Sequence, residues 1–259
     1  LLGLAPGWCF AQSTVLEAAD SDSVDGARIL VVPFHKTKYY FSDCDKALAG
    51  ESKMKLQYIR QSFQYHFDYA TEGRFEDRYV PINLLQEKDS TSEAYLDRFY
   101  DKVSYSYEMP TRLSEKVEQK TFGKLKKAFR QLGTKETPVS INEEEAYTNV
   151  ELENERYMAL NWHDMDYLSS LTSEYAPDYI VTINQFEIKT DYSKCIDREL
   201  GNYTRRIKVH YNVFDASGRR LAGDVVTARY NSTTDDVNKI IQDNFGVLAQ
   251  YIKQALPRS

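Results

Sequence analysis

The chain has 259 residues, of which 42% are hydrophobic and 28% charged, and its formal net charge at pH 7 is −6. These proportions predict an ordinary globular protein of one domain. The sequence contains no apolar run of about 18 residues, so no transmembrane helix is predicted. The acidic balance disfavours a nucleic-acid binder that relies on bulk positive charge, so no nucleic-acid partner is expected. The 20 tyrosines favour a binding protein, because tyrosine is typical of half-buried sheets and of interfaces.

The first residues, Leu1–Ala11, resemble the apolar end of a secretory signal peptide. Small residues near its end place the cleavage site before Gln12, so residues 1–26 are predicted to be a signal remnant and a flexible leader. Two alternatives are open. A lipoprotein signal would acylate Cys9 but needs a small residue where Trp8 stands, whereas a short apolar arm would have no targeting role.

The first half of the chain predicts alternating strands and helices within a single α/β domain over residues 27–259. The continuous apolar run Ala27–Phe34 is typical of a buried strand. Apolar residues recur at helical spacing over residues 45–69, and a capping box predicts another helix from about residue 93. A second strand is predicted between these helices at Arg78–Leu85, and Pro81 places it at the edge of the sheet.

Residues 109–161 differ in character and predict a charged helical insertion in this domain. Basic residues, among them Lys120, Lys124 and Lys127, surround apolar ones and predict a basic amphipathic helix, which an acidic stretch follows. This helix is a candidate surface for an acidic partner or for the anionic headgroups of the outer membrane. The alternative is a solvated helix that pairs with the acidic stretch.

The last third of the chain gives the clearest structural prediction. Asp164 is the expected cap of a helix over Met165–Tyr175, and an amphipathic helix is expected over about 235–256. Between them, β-branched and aromatic residues predict a three-stranded antiparallel meander, with Gly218 available for a positive φ in its second turn. The three predicted strands cover residues 178–189, 206–214 and 221–230.

The middle strand of this meander alternates apolar and polar residues. Since successive side chains of a strand point to opposite faces, the polar face is expected to be solvated and the apolar face buried. The residues of the expected solvated face are Arg206, Lys208, His210 and Asn212.

The sequence contains no glycine-rich phosphate loop, no nucleophile elbow and no His-Glu-x-x-His pattern. We therefore predict no catalytic, cofactor-binding or metal-binding residue. The segment His163–Asp166 has metal-ligand residue types, but helix capping is the favoured interpretation. A hydrolase could use one cluster, His35 with Asp43 and Asp45, for which capping is again the alternative.

Three stretches, Ile29–Phe34, Ala176–Thr182 and Val209–Arg219, resemble a known family. They are similar to the "V-x-P-F" strand, the "A-D-Y" strand and the "D-x-x-T/S-G" strand end of the curli-secretion lipoprotein (CsgG) family. Its relatives include the amino-terminal domain of TolB and the penicillin-binding-protein activator lipoproteins. Trp8 and the charged insertion depart from the acylated cysteine and barrel-forming segments of the channel members, so a channel function is not expected.

The resemblance implies an anticodon-binding-domain-like α/β sandwich, with a mixed sheet, helices on one face or both, and a final meander plus helix. It also implies an exported, non-catalytic protein that is periplasmic or associated with the outer membrane. In such a fold the first strand and the strand at 178–189 are parallel neighbours, and their trailing loops bring Cys44 and Cys195 to one end of the sheet. The two residues are therefore candidates for a disulfide, although two unrelated free thiols are the favoured alternative.

The loop after the first strand carries three aromatic residues in a row, Tyr39, Tyr40 and Phe41. Loops often carry function, so these rings are candidate partner-binding residues; the alternative is a loop folded onto the core. The leading hypothesis is a secreted envelope protein that binds another protein, with homo-oligomerisation as a further expectation. The rival hypotheses are an envelope-polymer hydrolase and a small-ligand or lipid carrier, which needs a closed apolar cavity.

Overall fold

The computed structural model describes residues 26–85, 92–110, 150–152, 156–197 and 202–257, which form the predicted mixed α/β fold. The strands are β1 (Ala27–Val32), β2 (Tyr40–Ser42), β3 (Tyr79–Asn83), β4 (Val103–Glu108), β5 (Val150–Leu152), β6 (Tyr157–Trp162), β7 (Tyr179–Asp197), β8 (Asn202–Asp215) and β9 (Arg220–Asn231). The helices are α1 (Asp45–Ser52), α2 (Leu56–Phe75), α3 (Ser92–Asp101), α4 (Met165–Tyr175) and α5 (Val237–Gln254).

The main sheet has the strand order β3-β1-β7-β8-β9-β5, and β2 pairs with β7 beside β1. The prediction that the first strand and the strand at 178–189 are parallel neighbours is confirmed, and so is the antiparallel meander of β7, β8 and β9. β1 and β2 pair with successive parts of β7, because Ile29 is in register with Tyr179 and Tyr40 with Phe186. The chain therefore leaves the sheet after β1 and returns to the same strand at β2.

β3 lies at the edge of the sheet, where Pro81 predicts it. A proline has no N–H to donate to a neighbouring strand and is therefore tolerated on an edge strand. β1 is central by contrast, and its last four residues are fully buried, as the continuous apolar run predicts.

One face of the sheet is covered by α1, α2 and α5. α2 contributes Ile59, Phe63 and Phe67, which recur every four residues and so lie on one face of the helix. The rings of Phe63 and Phe245 lie 5.5 and 5.7 Å from the ring of Phe186 on β7. These aromatic contacts join helix to helix across the centre of the sheet.

The other face is covered by α3, α4 and a small antiparallel sheet of β4 and β6. The predicted helical insertion over residues 109–161 is therefore wrong at its end. Residues 150–152 form β5, which pairs with β9, and residues 157–162 form β6. Four consecutive residues of β6, Tyr157–Leu160, are buried, and this apolar run is typical of a strand buried on both sides. Residues 111–149, with Lys120, Lys124 and Lys127, lie outside the described residues, as do the first 25.

Two local predictions about helix and turn chemistry are confirmed. Asp164 caps α4, since its side chain accepts a hydrogen bond from the backbone N–H of Tyr167 at 2.9 Å. Gly218 in the β8–β9 turn has a φ of +81°, the left-handed region that favours glycine. A Cβ atom there would also lie 2.4 Å from the Leu168 side chain, so the turn packs tightly against α4.

Candidate binding surface

The aromatic run Tyr39–Phe41 enters the sheet and does not form a free loop. Tyr40 and Phe41 belong to β2, where they are in register with Phe186 and Glu187 of β7. Since successive residues of a strand point to opposite faces, the rings are separated. Tyr40 is 4% exposed and Phe41 is 47% exposed, so the expected contact surface of three adjacent rings is corrected to one exposed ring.

Tyr40 is part of the core below α1 and α2. Its ring lies 6.2 Å from that of Phe63 and 6.1 Å from that of Phe186, and the Arg60 guanidinium lies 5.2 Å from its centre. The hydroxyl donates a hydrogen bond to Asp45 at 3.2 Å, and burial raises the pKa of Tyr40. This tyrosine connects β2 to two helices and contributes to folding.

Tyr39 packs under β4 on the other side of the sheet. Its ring lies 5.2 Å from that of Tyr100 and 4.9 Å from that of Tyr105, and burial raises the pKa of Tyr39. Tyr100 is anchored in turn, because its hydroxyl donates to the Pro33 carbonyl at 2.5 Å. We name Tyr39, Tyr100 and Tyr105 the tyrosine cluster; it fixes β4 against the loop that follows β1.

Exposed apolar side chains follow two members of this cluster, Tyr39 and Tyr105, in the sequence. Phe41 is 47% exposed, Tyr107 is 58% exposed and Met109, just after β4, is 61% exposed. The Tyr107 hydroxyl donates to Gln185 Oε1 at 3.1 Å, and the Gln185 amide donates to Glu187, the residue in register with Phe41. We name Phe41, Tyr107 and Met109 the apolar patch.

The polar residues of β8 are mostly buried, contrary to the expectation of a solvated face. Lys208 and His210 are each 4% exposed and Asn212 is fully buried. The cause is β6, which lies across this face: the Met158 N–H donates to His210 Nδ1 at 2.9 Å, and the Leu160 N–H donates to Asn212 Oδ1 at 2.8 Å. His210 and Asn212 therefore accept hydrogen bonds from the backbone of β6, although the sequence predicts that these side chains face water.

Asn184 and Asn212 complete this contact between the two sheets. Asn184 Nδ2 donates to the Met158 carbonyl at 2.8 Å and to Asn212 Oδ1 at 2.7 Å, while Asn212 Nδ2 donates to the Tyr157 hydroxyl at 3.2 Å. Buried backbone N–H and C=O groups need partners, and here side chains supply them in place of a neighbouring strand. We name these contacts the asparagine network.

A histidine and a glutamate continue the network along β7 and β8. Because His210 Nδ1 accepts a backbone N–H, its Nε2 carries the ring proton, and Nε2 lies 3.5 Å from Glu187 Oε1. Burial favours the neutral acid, but interactions with His210 and Lys189 outweigh it and lower the pKa of Glu187 to about 2. Glu187 is therefore ionised and held in the interface between the sheets.

His35 does not join Asp43 and Asp45, the other members of the candidate hydrolase cluster, which both line one groove. His35 Nδ1 accepts backbone N–H groups two and three residues later, both at 3.2 Å, and its Nε2 lies 2.9 Å from Asp97 Oδ1. Asp43 instead accepts the backbone N–H of Thr190 at 2.9 Å, and Asp45 accepts the Tyr40 hydroxyl. Each nominated group is thus used in a separate structural contact.

Cys44 lies in a groove of about 530 Å³ between the β2–α1 loop and the strands β7 and β8. It is a free thiol, 5% exposed, and burial raises its pKa to about 11, which disfavours the reactive thiolate at neutral pH. Because Cys44 is a free thiol, the candidate disulfide with Cys195 is not formed in this structure, and the side chain of Cys195 lies outside the described residues. At the base of the groove Arg205 makes two 2.7 Å hydrogen bonds to Asp235.

Within the part of the chain that the structure describes, no group of three His, Cys, Asp or Glu side chains is arranged to hold a metal ion. The carboxylate of Asp164, in the segment His163–Asp166, is already engaged by the N–H of Tyr167 and by Lys102 Nζ at 2.8 Å. Helix capping therefore explains the role of Asp164 in this segment.

A second exposed aromatic surface was missed by the sequence reasoning, which counted Tyr58 among the apolar positions of its helix. Tyr58, Tyr65 and Tyr69 of α2 are 50%, 49% and 62% exposed. The available signal was their spacing, because residues seven and eleven positions apart return to one helix face. That face lies opposite the core residues Ile59, Phe63 and Phe67.

No family model matches this chain, and no curated protein matches it in sequence. The resemblance to the curli-secretion lipoprotein family accordingly stays a prediction. None of the described helices is both long and apolar enough to cross a membrane.

Proposed function

We propose that the protein is a non-catalytic binding protein of the cell envelope that contacts a partner protein through the apolar patch. The observation that carries this proposal is the exposure of Phe41, in register with Glu187, and of Tyr107, bonded to Gln185, along one segment of β7. Met109, two residues after Tyr107, is exposed as well. Exposed aromatic and methionine side chains are enriched in protein interfaces, and a group of them is more informative than a single exposed ring.

The support beneath the patch favours this proposal. Phe41 is fixed by the backbone pairing of β2, and the strand that carries Tyr107 is fixed by the tyrosine cluster and the asparagine network. A surface that is already ordered loses less conformational entropy when a partner binds than a flexible loop does. The patch therefore has the pre-organised backbone of a binding site.

The titratable groups of the described residues support a function without catalysis. Cys44 is buried with a raised pKa, both ring nitrogens of His35 face structural partners, and Glu187 is ionised in a buried pair. A general acid or base needs a pKa near the working pH and access to substrate. None of these three groups combines the two properties.

The grooves do not favour a carrier of apolar ligands. One groove, of about 530 Å³, is lined by Asp43, Asp45, Lys46 and Arg205 among others. The other, of about 440 Å³ between α3 and α4, is lined by side chains that include Arg98, Lys102, Asp164 and Glu174. Charged walls of this kind bind apolar molecules poorly.

The cell-envelope location in this proposal rests on the signal-like residues Leu1–Ala11 and on the family resemblance. A direct test is fractionation of cells that produce the protein with its native leader. Recovery in the periplasm or with the outer membrane is the expected result, and recovery in the cytosol would contradict the location while leaving the binding surface open to test.

The binding surface is tested by crosslinking the exported protein in its native envelope and then purifying it with any bound partner. The unmodified chain is compared with the double variant Phe41→Ala and Tyr107→Ala. The amount of a dominant partner captured by the unmodified chain should fall at least tenfold in the double variant. The matched control is Met165→Ala with Tyr192→Ala, two exposed residues outside the patch, 53% and 66% exposed. Unchanged capture by the patch variant, or equal loss in the control, would contradict the assignment.

A further inference from the structure

Over residues 57–69, the exposed side of α2 carries aromatic and amide residues without charge. The exposed residues of this part of the helix carry no formal charge, although 28% of the whole chain is charged. These exposed residues are Gln57, Tyr58, Gln61, Tyr65, His66 and Tyr69. Such a surface is unusual for a helix whose other side is fully committed to the core.

The three tyrosines form a straight stripe. With Ser62, which is partly exposed, they occupy positions 58, 62, 65 and 69, an alternation of four- and three-residue steps. This spacing is that of the contact seam of two packed helices, and it places the four side chains along about 16 Å of one helix face. The stripe is long enough to pack against another helix.

The spacing of the positions along the stripe, in steps of four, three and four residues, is the same in both directions around a point between Ser62 and Tyr65. If a second α2 packs antiparallel about that point, Tyr58 meets Tyr69 of the second copy and Ser62 meets Tyr65 of the second copy. Gln61 and His66 flank the seam on opposite sides, and neither adds a formal charge to its border. A large ring faces a small side chain at the centre, as interdigitated packing requires.

We propose that α2 is the contact helix of a two-fold symmetric homodimer, in which two copies of this chain pack their tyrosine stripes antiparallel. A two-fold interface brings a surface against itself, so each contact occurs twice and a surface with charges of a single sign would face the same sign. The lack of charge on this face suits a second copy of the chain better than a charged partner. This inference does not depend on the proposed function, since the apolar patch lies on other elements.

The expected dimer is of modest strength. A tyrosine side chain buries about 150–250 Å² when fully covered, so three half-exposed rings offer on the order of 300 Å² per copy. The flanking glutamines, Ser62 and His66 add to this area, but it stays below the roughly 800 Å² per partner of a standard stable interface. We therefore expect dissociation at low protein concentration, in the micromolar range that small interfaces give.

Sedimentation equilibrium over a range of concentrations tests the dimer. The unmodified chain should show a concentration-dependent monomer–dimer equilibrium, and Tyr65→Glu should weaken it at least 100-fold. Tyr192→Glu is the matched control, because Tyr192 is 66% exposed on β7 and should leave the dissociation constant unchanged. A chain that stays monomeric at the highest concentration, or a dimer that Tyr65→Glu does not weaken, would overturn the proposal.

A reciprocal exchange tests the pairing itself. Tyr65→Ser alone leaves a gap at the centre and Ser62→Tyr alone places two rings together, so each should weaken the dimer at least tenfold. The double variant, Ser62→Tyr with Tyr65→Ser, restores one large and one small side chain in each central pair and should recover most of the affinity. Additive weakening in the double variant would overturn the antiparallel register.

Crosslinking with a short bis-maleimide distinguishes the two orientations. In the antiparallel pair, a cysteine at Ser62→Cys lies about 5 Å along the helix axis from its copy, whereas one at Tyr58→Cys, also on the stripe, lies about 16 Å from its copy. The first variant should crosslink and the second should not, above the background of the native cysteines in the unmodified chain. Equal crosslinking of both would indicate parallel helices and contradict the proposal.

Discussion

Asn212 offers a test of whether polar side chains hold β6 on the main sheet. It is fully buried, its Oδ1 accepts the Leu160 N–H and the Asn184 amide, and its Nδ2 donates to the Tyr157 hydroxyl. Asn212→Leu keeps a similar volume but leaves the buried N–H of Leu160 without a partner. The substitution therefore isolates the hydrogen bonds from the packing.

The expected loss follows from these contacts. An unsatisfied buried N–H costs about 1–3 kcal/mol, and each further hydrogen bond lost contributes about 1 kcal/mol. Asn184 keeps its bond to the Met158 carbonyl and Tyr157 keeps a contact with Arg220, so only part of the network is removed. We expect the free energy of unfolding to fall by about 3–5 kcal/mol, a large share of the 5–15 kcal/mol of a typical domain.

The matched control is Asn244→Leu in α5. Asn244 is 5% exposed, and its amide donates to the Ile240 carbonyl within the same helix. Its loss leaves no backbone group of another element without a partner, so we expect a decrease of at most about 1 kcal/mol. Urea unfolding gives both values from the midpoint and slope. Equal destabilisation by the two substitutions would refute a special role of the network.

Three further predictions concern buried groups. Asp68 is 1% exposed without a hydrogen-bond partner, and burial raises its pKa above that of the unfolded chain. The free energy of unfolding should thus fall by up to about 1.4 kcal/mol per pH unit as the pH rises from about 4 through the folded pKa. Urea unfolding as a function of pH should show this slope lost in Asp68→Asn, and an unchanged slope would contradict the assignment. Gly223→Ala should lower the melting temperature, because the new Cβ would lie 2.1 Å from the Tyr157 hydroxyl; a neutral effect would mean that β6 moves freely. Cys44, buried with a pKa of about 11, should react with iodoacetamide at neutral pH only after unfolding, and mass spectrometry of the modified peptide would reveal any fast reaction of the folded chain.

The parts of the fold that local pattern determines could be predicted from the sequence. The continuous apolar run of β1, the proline of β3 and the cap of α4 each act through a few neighbouring residues, and all three lie where they were expected. The meander was visible for the same reason, although β7 extends to Asp197, beyond the predicted end at residue 189.

The asparagine network could not be predicted, because alternation along β8 shows only that its two faces differ. His210 and Asn212 have the polarity of solvated residues, and only the position of β6 makes them hydrogen-bond partners of a buried strand. β6 itself was assigned to an insertion, since charged residues surround its short apolar run in the sequence. Contacts between residues more than 50 positions apart decide both outcomes.

Because Tyr40 of β2 is buried, a test of partner binding should leave this residue unchanged. Replacing all three residues of the run Tyr39–Phe41 by alanine would remove Tyr40 from the core, and truncation of a buried aromatic residue costs about 3–5 kcal/mol. Loss of a partner in that variant would report unfolding as readily as a lost contact. Phe41 and Tyr107 are half exposed, so their truncation leaves most of the core intact and separates binding from stability. If the patch is a binding surface, the double variant should lose its partner while its unfolding transition stays close to that of the unmodified chain.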